Sequence, residues 1–275
     1  MRLELSRPGR TWGYVGLVAI SLVALVPFLY MVSLSLQSDG ETLSGTPVLI
    51  PEVLNVDNYV RMWEAAPFGR FFLNSLVVAI TITACHLLFD SVAGYAFAKY
   101  RFRGRGLMLT AVLGTLMIPF FVRMIPLYVE FANLGLLNSY AGLVLPFVMD
   151  GFGIFLMRQF IAPLPDELIE AARLDGASEL RIFFRIILPQ TTPALAALGV
   201  FTFVFQWNEF LWPLVAISEP DMRTLPLGLT VFTREFFTQW NLTAAASVLM
   251  FVPTVILFMV AQRYFVRGIA LSGLK

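Results

Sequence analysis

Apolar residues along this chain gather into long runs rather than the short alternations of a water-soluble domain. The runs cover about residues 12–36, 71–97, 107–131, 141–161, 193–217 and 242–265, and each approaches or exceeds the ~20 residues that a helix needs to cross a bilayer core. They predict an all-α integral membrane protein, a single transmembrane domain over residues 1–275 with six transmembrane helices. The first run is longer than the ~7–15-residue core of a secretory signal and lacks a convincing cleavage site, so it reads as a retained helix. Pro119 and Pro126 interrupt the third run, and Asp150, Gly151 and Gly153 break the fourth. Irregular backbone at membrane depth is tolerated where it lines a cavity.

Two polar segments punctuate the runs. Gln37 to Arg70 carries Pro47, Pro51 and Pro67 and the acids Asp39, Glu41, Glu52, Asp57 and Glu64, a mixture unable to span. Residues 165–193 read PDELIEAARLDGASELRIFFRIILPQTTP, in which five acids and three arginines interleave with an apolar set that includes Leu168, Ile169, Ala172, Leu180, Phe183, Phe184 and Ile187. That pattern predicts an amphipathic hairpin over 165–189, lying along a membrane face. Pro165 and Asp166 start its first helix, with acids where the helix dipole favours them. Gly176 supplies the turn, Ser178 is placed to cap the second helix, and Glu170 and Arg173 are spaced to pair. Ala171, Ala172 and Ala177 leave a shallow surface around Glu170. On the residues alone the segment is either a solvated interfacial helix or a docking element for another protein.

Composition agrees with a membrane protein: 58% of the 275 residues are hydrophobic and 13% charged, against about 25% charged in a soluble domain. With one cysteine, Cys85, and one histidine, His86, neither a disulfide framework nor a zinc-type ligand spacing can form. The placement of positive charge then orients the chain. If both ends share a side, that side receives Arg2, Arg7, Arg10, Lys99, Arg101, Arg103, Arg105, Arg158, Arg173, Arg181, Arg185, Arg263, Arg267 and Lys275, and the other only Arg61, Arg70, Arg223 and Arg234, with Arg123 inside a span. Cytoplasmic loops collect Lys and Arg, so both termini and the hairpin, which joins spans four and five, are expected in the cytoplasm of a multi-pass protein of the inner or plasma membrane. Its surroundings are then membrane lipid, with no nucleic acid.

Ionisable and amide groups within spans are costly and functional by default. His86 and Asp90 are four apart on one helix face and could pair structurally or take part in transport. Arg123 and Glu130 lie in the third run, and Asp150 at the break of the fourth. Gln206, Trp207, Asn208 and Glu209 stand about fifteen residues into the fifth run, near mid-bilayer at 1.5 Å per residue. An indole beside amides and carboxylates suits a sugar, whose C–H faces stack and whose hydroxyls hydrogen-bond; helix packing and an aromatic belt are the competing reading.

Glu170-Ala171-Ala172, three residues, Gly176, nine residues, Ile186, one residue and Leu188-Pro189 together resemble, without a gap, the EAA motif of ABC-importer permease subunits. Other stretches are similar to the carbohydrate-uptake branch, the relatives of the second maltose permease subunit. These are Ala93–Ala98 with Arg101–Gly104, Pro126–Tyr128, Leu134–Asn138, Phe155–Phe160, Trp207–Phe210 and Arg263–Gly268. The resemblance runs from about Asn74 onward. It implies a type I permease fold, with the hairpin as the coupling helix that docks into a cleft of a separate ATPase. Glu170 would be the charged contact, Ala171, Ala172 and Ala177 the close-packing surface, and Asp175 and Gly176 the turn. It also implies an ATPase dimer that binds the ATP and magnesium, a second permease chain different from this one, an extracytoplasmic solute-binding protein, and no cofactor on this chain, which is non-catalytic.

The chain contains no GxxxxGK[ST] phosphate loop, so the resemblance and the missing motif agree that energy comes from a partner. An ion- or proton-coupled secondary transporter using His86, Asp90, Arg123, Glu130 and Asp150 is the alternative, although the first and last three spans show no convincing inverted repeat. A membrane hydrolase would lack parts, since neither GxSxG nor HExxH occurs.

Overall fold

The computed structural model describes the backbone of residues 7–44, 48–234 and 237–272. Arg2 and Lys275, and the side chains of Arg7, Arg10, Arg234, Arg263 and Arg267, which entered the charge argument, lie outside the described residues. The main helices are α1 (Arg7–Ser35), α2 (Phe68–Lys99), α3 (Arg105–Thr115), α4 (Phe120–Asn133), α5 (Tyr140–Val144, continued by a 3-10 turn Leu145–Phe147), α6 (Gly151–Ile161), α7 (Glu167–Leu174), α8 (Glu179–Ile182), α9 (Thr192–Trp207), α10 (Leu211–Ala216) and α11 (Trp240–Ser272). Among the described residues the strand pairing is one antiparallel ribbon, Thr233–Arg234 against Phe237–Thr238.

Among the described residues, three helices are individually long and apolar enough to cross a membrane: Trp12–Ser35, Phe68–Lys99 and Trp240–Gln262. Three bent helix pairs pass the same test when each is taken together, which gives up to 6 spans if each pair is one. Each bend has a local cause. Arg105–Thr115 and Phe120–Asn133 meet at 95°, where Pro119 occupies the N-cap of α4 and pushes the residue before it away from helical geometry. Tyr140–Phe147 and Gly151–Ile161 meet at 47° around extended Asp150. Glu179–Gln190 and Thr192–Trp207 meet at 83°, after a five-residue π-helical stretch Phe183–Ile187 and beside Pro189 and Pro193. Pro126, expected to interrupt, lies inside α4.

The chain divides into two compact units, Met1–Pro67 with Leu229–Val252 and Phe68–Gly228 with Pro253–Lys275. In the first, the segment after α1 is folded by buried amides. Asn58 Nδ2 donates to the carbonyls of Ser35 (3.0 Å) and Gln37 (2.8 Å), and Asn241 Nδ2 donates to Asp39 Oδ1 (2.7 Å) and Asn58 Oδ1 (3.1 Å). Arg61 pairs with Asp39 at 3.0 Å; that guanidinium first, and the Asn241 amide second, hold Asp39 below the usual carboxylate range.

In the second unit two cores flank α2. One holds Val78, Ile82, Phe131, Leu143, Trp212 and Ala216, with the Trp212 indole donating to the Gly142 carbonyl at 2.9 Å. The other holds Tyr95, Met157, Ile161 and Leu198 with Ile169, Ala172, Ile182, Phe183 and Ile187 of the polar hairpin. The hairpin's apolar stripe is thus what attaches it to the spans. At the other end of α2, Asn74 is fully buried, donating to the carbonyls of Asp221 and Arg223 (2.8 Å each) and accepting from the Tyr140 hydroxyl at 2.6 Å.

Candidate functional site

Two features of the second unit carry chemistry: the hairpin and a cavity between bent helices. In the hairpin, α7 and α8 are joined at Gly176, whose φ of +76° is the left-handed conformation that glycine adopts without strain. Ser178 occupies the N-cap position of α8, but its hydroxyl makes no capping bond, the cap being closed by its backbone carbonyl. Arg173 pairs with Glu179 across the turn, Nε to Oε1 at 2.7 Å and Nη2 to Oε2 at 3.2 Å, rather than with Glu170 one helical turn away. The reversal at Gly176 brings the start of α8 back over α7, and the guanidinium takes the bidentate partner. Glu170, Ala171, Leu174 and Asp175 remain exposed, Leu174 at 90%. Ala177 is half-buried, whereas Ala172 points inward to the core at 7% exposure.

The end of α2 grips both arms. Lys99 Nζ lies 2.6 Å from Asp166 Oδ1 and also donates to the carbonyls of Ala162 (3.3 Å) and Leu164. The Tyr100 hydroxyl donates to Glu179 Oε2, and the Tyr95 ring packs on Tyr100 and Phe183 with centroids 5.5 and 5.4 Å away. Lys99 draws the Asp166 carboxyl below its ordinary value, and Arg173, followed by Tyr100, does the same for Glu179. These anchors were invisible as such in the sequence, where Lys99 and Tyr100 belong only to a basic turn.

The cavity encloses about 590 Å³ and is lined by the polar groups His86, Arg123, Asp150, Gln206 and Glu209 among the rings of Phe120, Phe121, Phe147, Phe152, Phe201 and Phe205. Continuous α2 supplies His86, and three breaks, between α3 and α4, α5 and α6, and α9 and α10, place the other groups. Arg123 lies over the Phe120 ring at 5.9 Å. His86 Nε2 is 2.7 Å from the Phe147 carbonyl, and its Nδ1 is 2.8 Å from Asp90 Oδ2. The other carboxylate oxygen of Asp90 accepts from the Asp150 backbone N–H at 3.1 Å. His86 and Asp90 thus pair, and both are spent on backbone groups freed by the break between α5 and α6. Glu130 is exposed and outside the lining.

The four polar positions singled out in the fifth run separate. Gln206 and Glu209 face the cavity. Trp207 is fully buried, stacked on Phe203 at 5.7 Å and edge-on to Phe72 at 5.4 Å. Asn208 returns its amide to the Val204 carbonyl at 2.7 Å, and Glu209 Oε1 accepts from the Trp212 backbone N–H at 3.0 Å. The helix stops at Trp207 and restarts at Leu211, so this polar cluster satisfies the backbone groups of a helix break within the run over 193–217.

Among known proteins, the chain is 39% identical to the arabinooligosaccharides transport system permease protein AraQ of Halalkalibacterium halodurans, over 95% of each chain. It is 39% identical to the sn-glycerol-3-phosphate transport system permease protein UgpE of Shigella flexneri, over 90% of this chain and 92% of that one. Its structure superposes on a chain of a bacterial ABC transporter involved in the import of the acidic polysaccharide alginate with a TM-score of 0.82 and 26% identity, covering 96% of this chain and all of the other. A chain of the inward-facing MetNI methionine ABC transporter, at 15% identity and a TM-score of 0.54, shares the fold. A family model described as the binding-protein-dependent transport system inner membrane component matches residues 90–271. With two-thirds of its length in that match and relatives this similar over nine-tenths of it, the chain belongs to the family of binding-protein-dependent transport system inner membrane components.

Proposed function

We propose that this chain is one permease subunit of an ATP-driven importer whose solute is a carbohydrate or a related polyol derivative. In this reading a separate ATPase dimer, which binds the ATP and magnesium, docks on the α7–α8 hairpin. A second permease chain completes the pathway, and an extracytoplasmic binding protein delivers the solute to the loops Gln37–Arg70 and Ser218–Asn241. The charge asymmetry of the sequence supports a cytoplasmic hairpin and cytoplasmic termini.

The observation that carries the reading is the two-sided build of the hairpin. Its apolar stripe is buried with the ends of the spans, while Glu170, Ala171, Leu174 and Asp175 stand free on the outer side. A partner pressing on that face would move the spans as a body instead of bending a loose loop. The carbohydrate class draws on the relatives named for arabinooligosaccharides and on the alginate importer. The cavity suits such a solute, since Arg123, Asp150, Gln206 and Glu209 offer donors and acceptors between aromatic faces. A proton relay finds less support, because His86 and Asp90 are engaged with backbone groups.

The test is Glu170→Lys in the complex purified with its ATPase. The expected result is normal membrane insertion, with ATP-dependent uptake reduced at least tenfold through weaker ATPase association or hydrolysis uncoupled from uptake. Normal assembly together with normal uptake would remove the docking role from this residue.

A further inference from the structure

Helix α2 touches the hairpin at one height and the cavity at another. Its end carries Lys99 and Tyr100, bound to Asp166 and Glu179 of the hairpin. Ten residues earlier, about 15 Å along a helix axis, Asp90 is fully buried and accepts the backbone N–H of Asp150 at 3.1 Å. One turn further, His86 reaches the Phe147 carbonyl at 2.7 Å. Phe147 and Asp150 stand on opposite sides of the 47° break in the fourth span. The His86–Asp90 pair therefore holds both halves of the broken span to one rod.

The packing between the two levels leaves little play. A Cβ on Gly94 would come within 2.7 Å of Met157 Cβ and 2.9 Å of the Arg158 nitrogen, and one on Gly153 would collide with the Asp90 carboxylate. At these points α2 and α6 pack with no room for a methyl group, so a displacement of α2 carries α6 with it. Asp150 itself lines the cavity, together with Met149 and Phe152 on either side of it.

We infer that His86 and Asp90 are positioning residues for transport: the pair couples movement of the hairpin, delivered through α2, to the wall of the cavity at the α5–α6 break. This rests on the hairpin being the element the ATPase drives. Neither side chain needs to bind solute or pass a proton. What the geometry requires of residue 90 is an acceptor for the Asp150 N–H and a polar partner for His86 Nδ1. An asparagine meets both needs, with its oxygen toward Asp150 and its amide toward a neutral imidazole whose Nε2–H serves Phe147.

The test uses the assembled complex with Cys85 replaced by serine and a reporter cysteine at the cavity wall, Met149→Cys. Maleimide labelling of that cysteine is compared with and without ATP, and ATP hydrolysed per solute imported is measured alongside. With Asp90 intact, ATP is expected to change the labelling rate at least fivefold. Asp90→Ala should flatten that response and raise the ATP cost per solute about tenfold while hydrolysis per complex persists; Asp90→Asn should behave as the unmodified residue. If Asp90→Ala does not assemble, His86→Leu is read in the same way. An undiminished ATP response in Asp90→Ala or His86→Leu overturns the inference and leaves the docking role of the hairpin standing. An asparagine variant as impaired as the alanine overturns positioning in favour of a role for the charge. No ATP response with Asp90 intact removes the hairpin drive, and this inference with it.

Discussion

The hairpin and the cavity break are both fastened to α2, but by opposite means. Around the hairpin the polar ties are several and each has an exposed carboxylate: Asp166 is 73% exposed, although its partner Lys99 is 6% exposed, and Arg173 and Glu179 are about half exposed. At the break the ties are the two hydrogen bonds made by the His86–Asp90 pair of α2, to the Phe147 carbonyl and from the Asp150 N–H, and the pair's side-chain exposures are 7% and 0%. Exposed ion pairs contribute little singly and are screened by salt, whereas a buried pair that loses one partner leaves the other uncompensated. The hairpin is therefore held mainly by its apolar stripe and tolerates loss of any one of its exposed carboxylates, while the break depends on one buried polar pair and two glycines that admit it.

The strongest way to break this contrast is at Gly153. A methyl group there meets the Asp90 carboxylate, so Gly153→Ala is expected to destabilise the protein by about 2–3 kcal/mol through overpacking, seen as a lowered thermal midpoint in detergent. An unchanged midpoint would mean that the buried tie is slack. An intermediate effect is expected at Gly176. Alanine there must adopt a φ of +76°, which costs about 1 kcal/mol, and since a Cβ would meet nothing within 4 Å the loss should come from the backbone alone. Asparagine, which tolerates this conformation better, should recover part of it.

The smallest effect is expected at the exposed ties. Glu179→Gln should shift the midpoint less than either glycine variant, and added salt should erase most of the difference. The pH dependence has a definite sign. Arg173 holds Glu179, and Lys99 holds Asp166, below their ordinary values of 4.5 and 3.8. The contribution of each carboxylate is fully present above its ordinary value and fades as pH falls through the lower value it has in the folded protein. These ties therefore predict a flat midpoint between pH 8 and about 5 and a decline only below about 4; a loss already near pH 6 would point to another group.

Much of this contrast could be read from the sequence on one side and little on the other. The hairpin is local: its stripe, its turn glycine and its fixed spacing lie within one segment, so its place and shape follow from short-range rules. Even so, the i, i+3 rule paired Arg173 with Glu170, because it treats α7 as a lone helix and cannot see Glu179 folding back across Gly176. The cavity is assembled from one continuous helix and three helix breaks far apart in the chain. Reading the run over 193–217 as one continuous helix put Trp207 and Asn208 beside Gln206 and Glu209. The helix ends at Trp207, so the indole packs on Phe203 and Phe72 while Asn208 and Glu209 close the broken backbone. His86 and Asp90 could be paired by spacing, but their use at Phe147 and Asp150 depends on long-range packing that no local pattern encodes.

The hairpin as the ATPase-docking lever is tested most directly by a short-reach thiol crosslink from its exposed tip. In the assembled complex with Cys85 replaced by serine, Leu174→Cys is expected to crosslink to the ATPase subunit, with a yield that changes when ATP is added, while Asp221→Cys, placed by the charge pattern on the opposite membrane face, gives none. A complex that assembles and hydrolyses ATP yet crosslinks through position 221 and not through position 174 would contradict it.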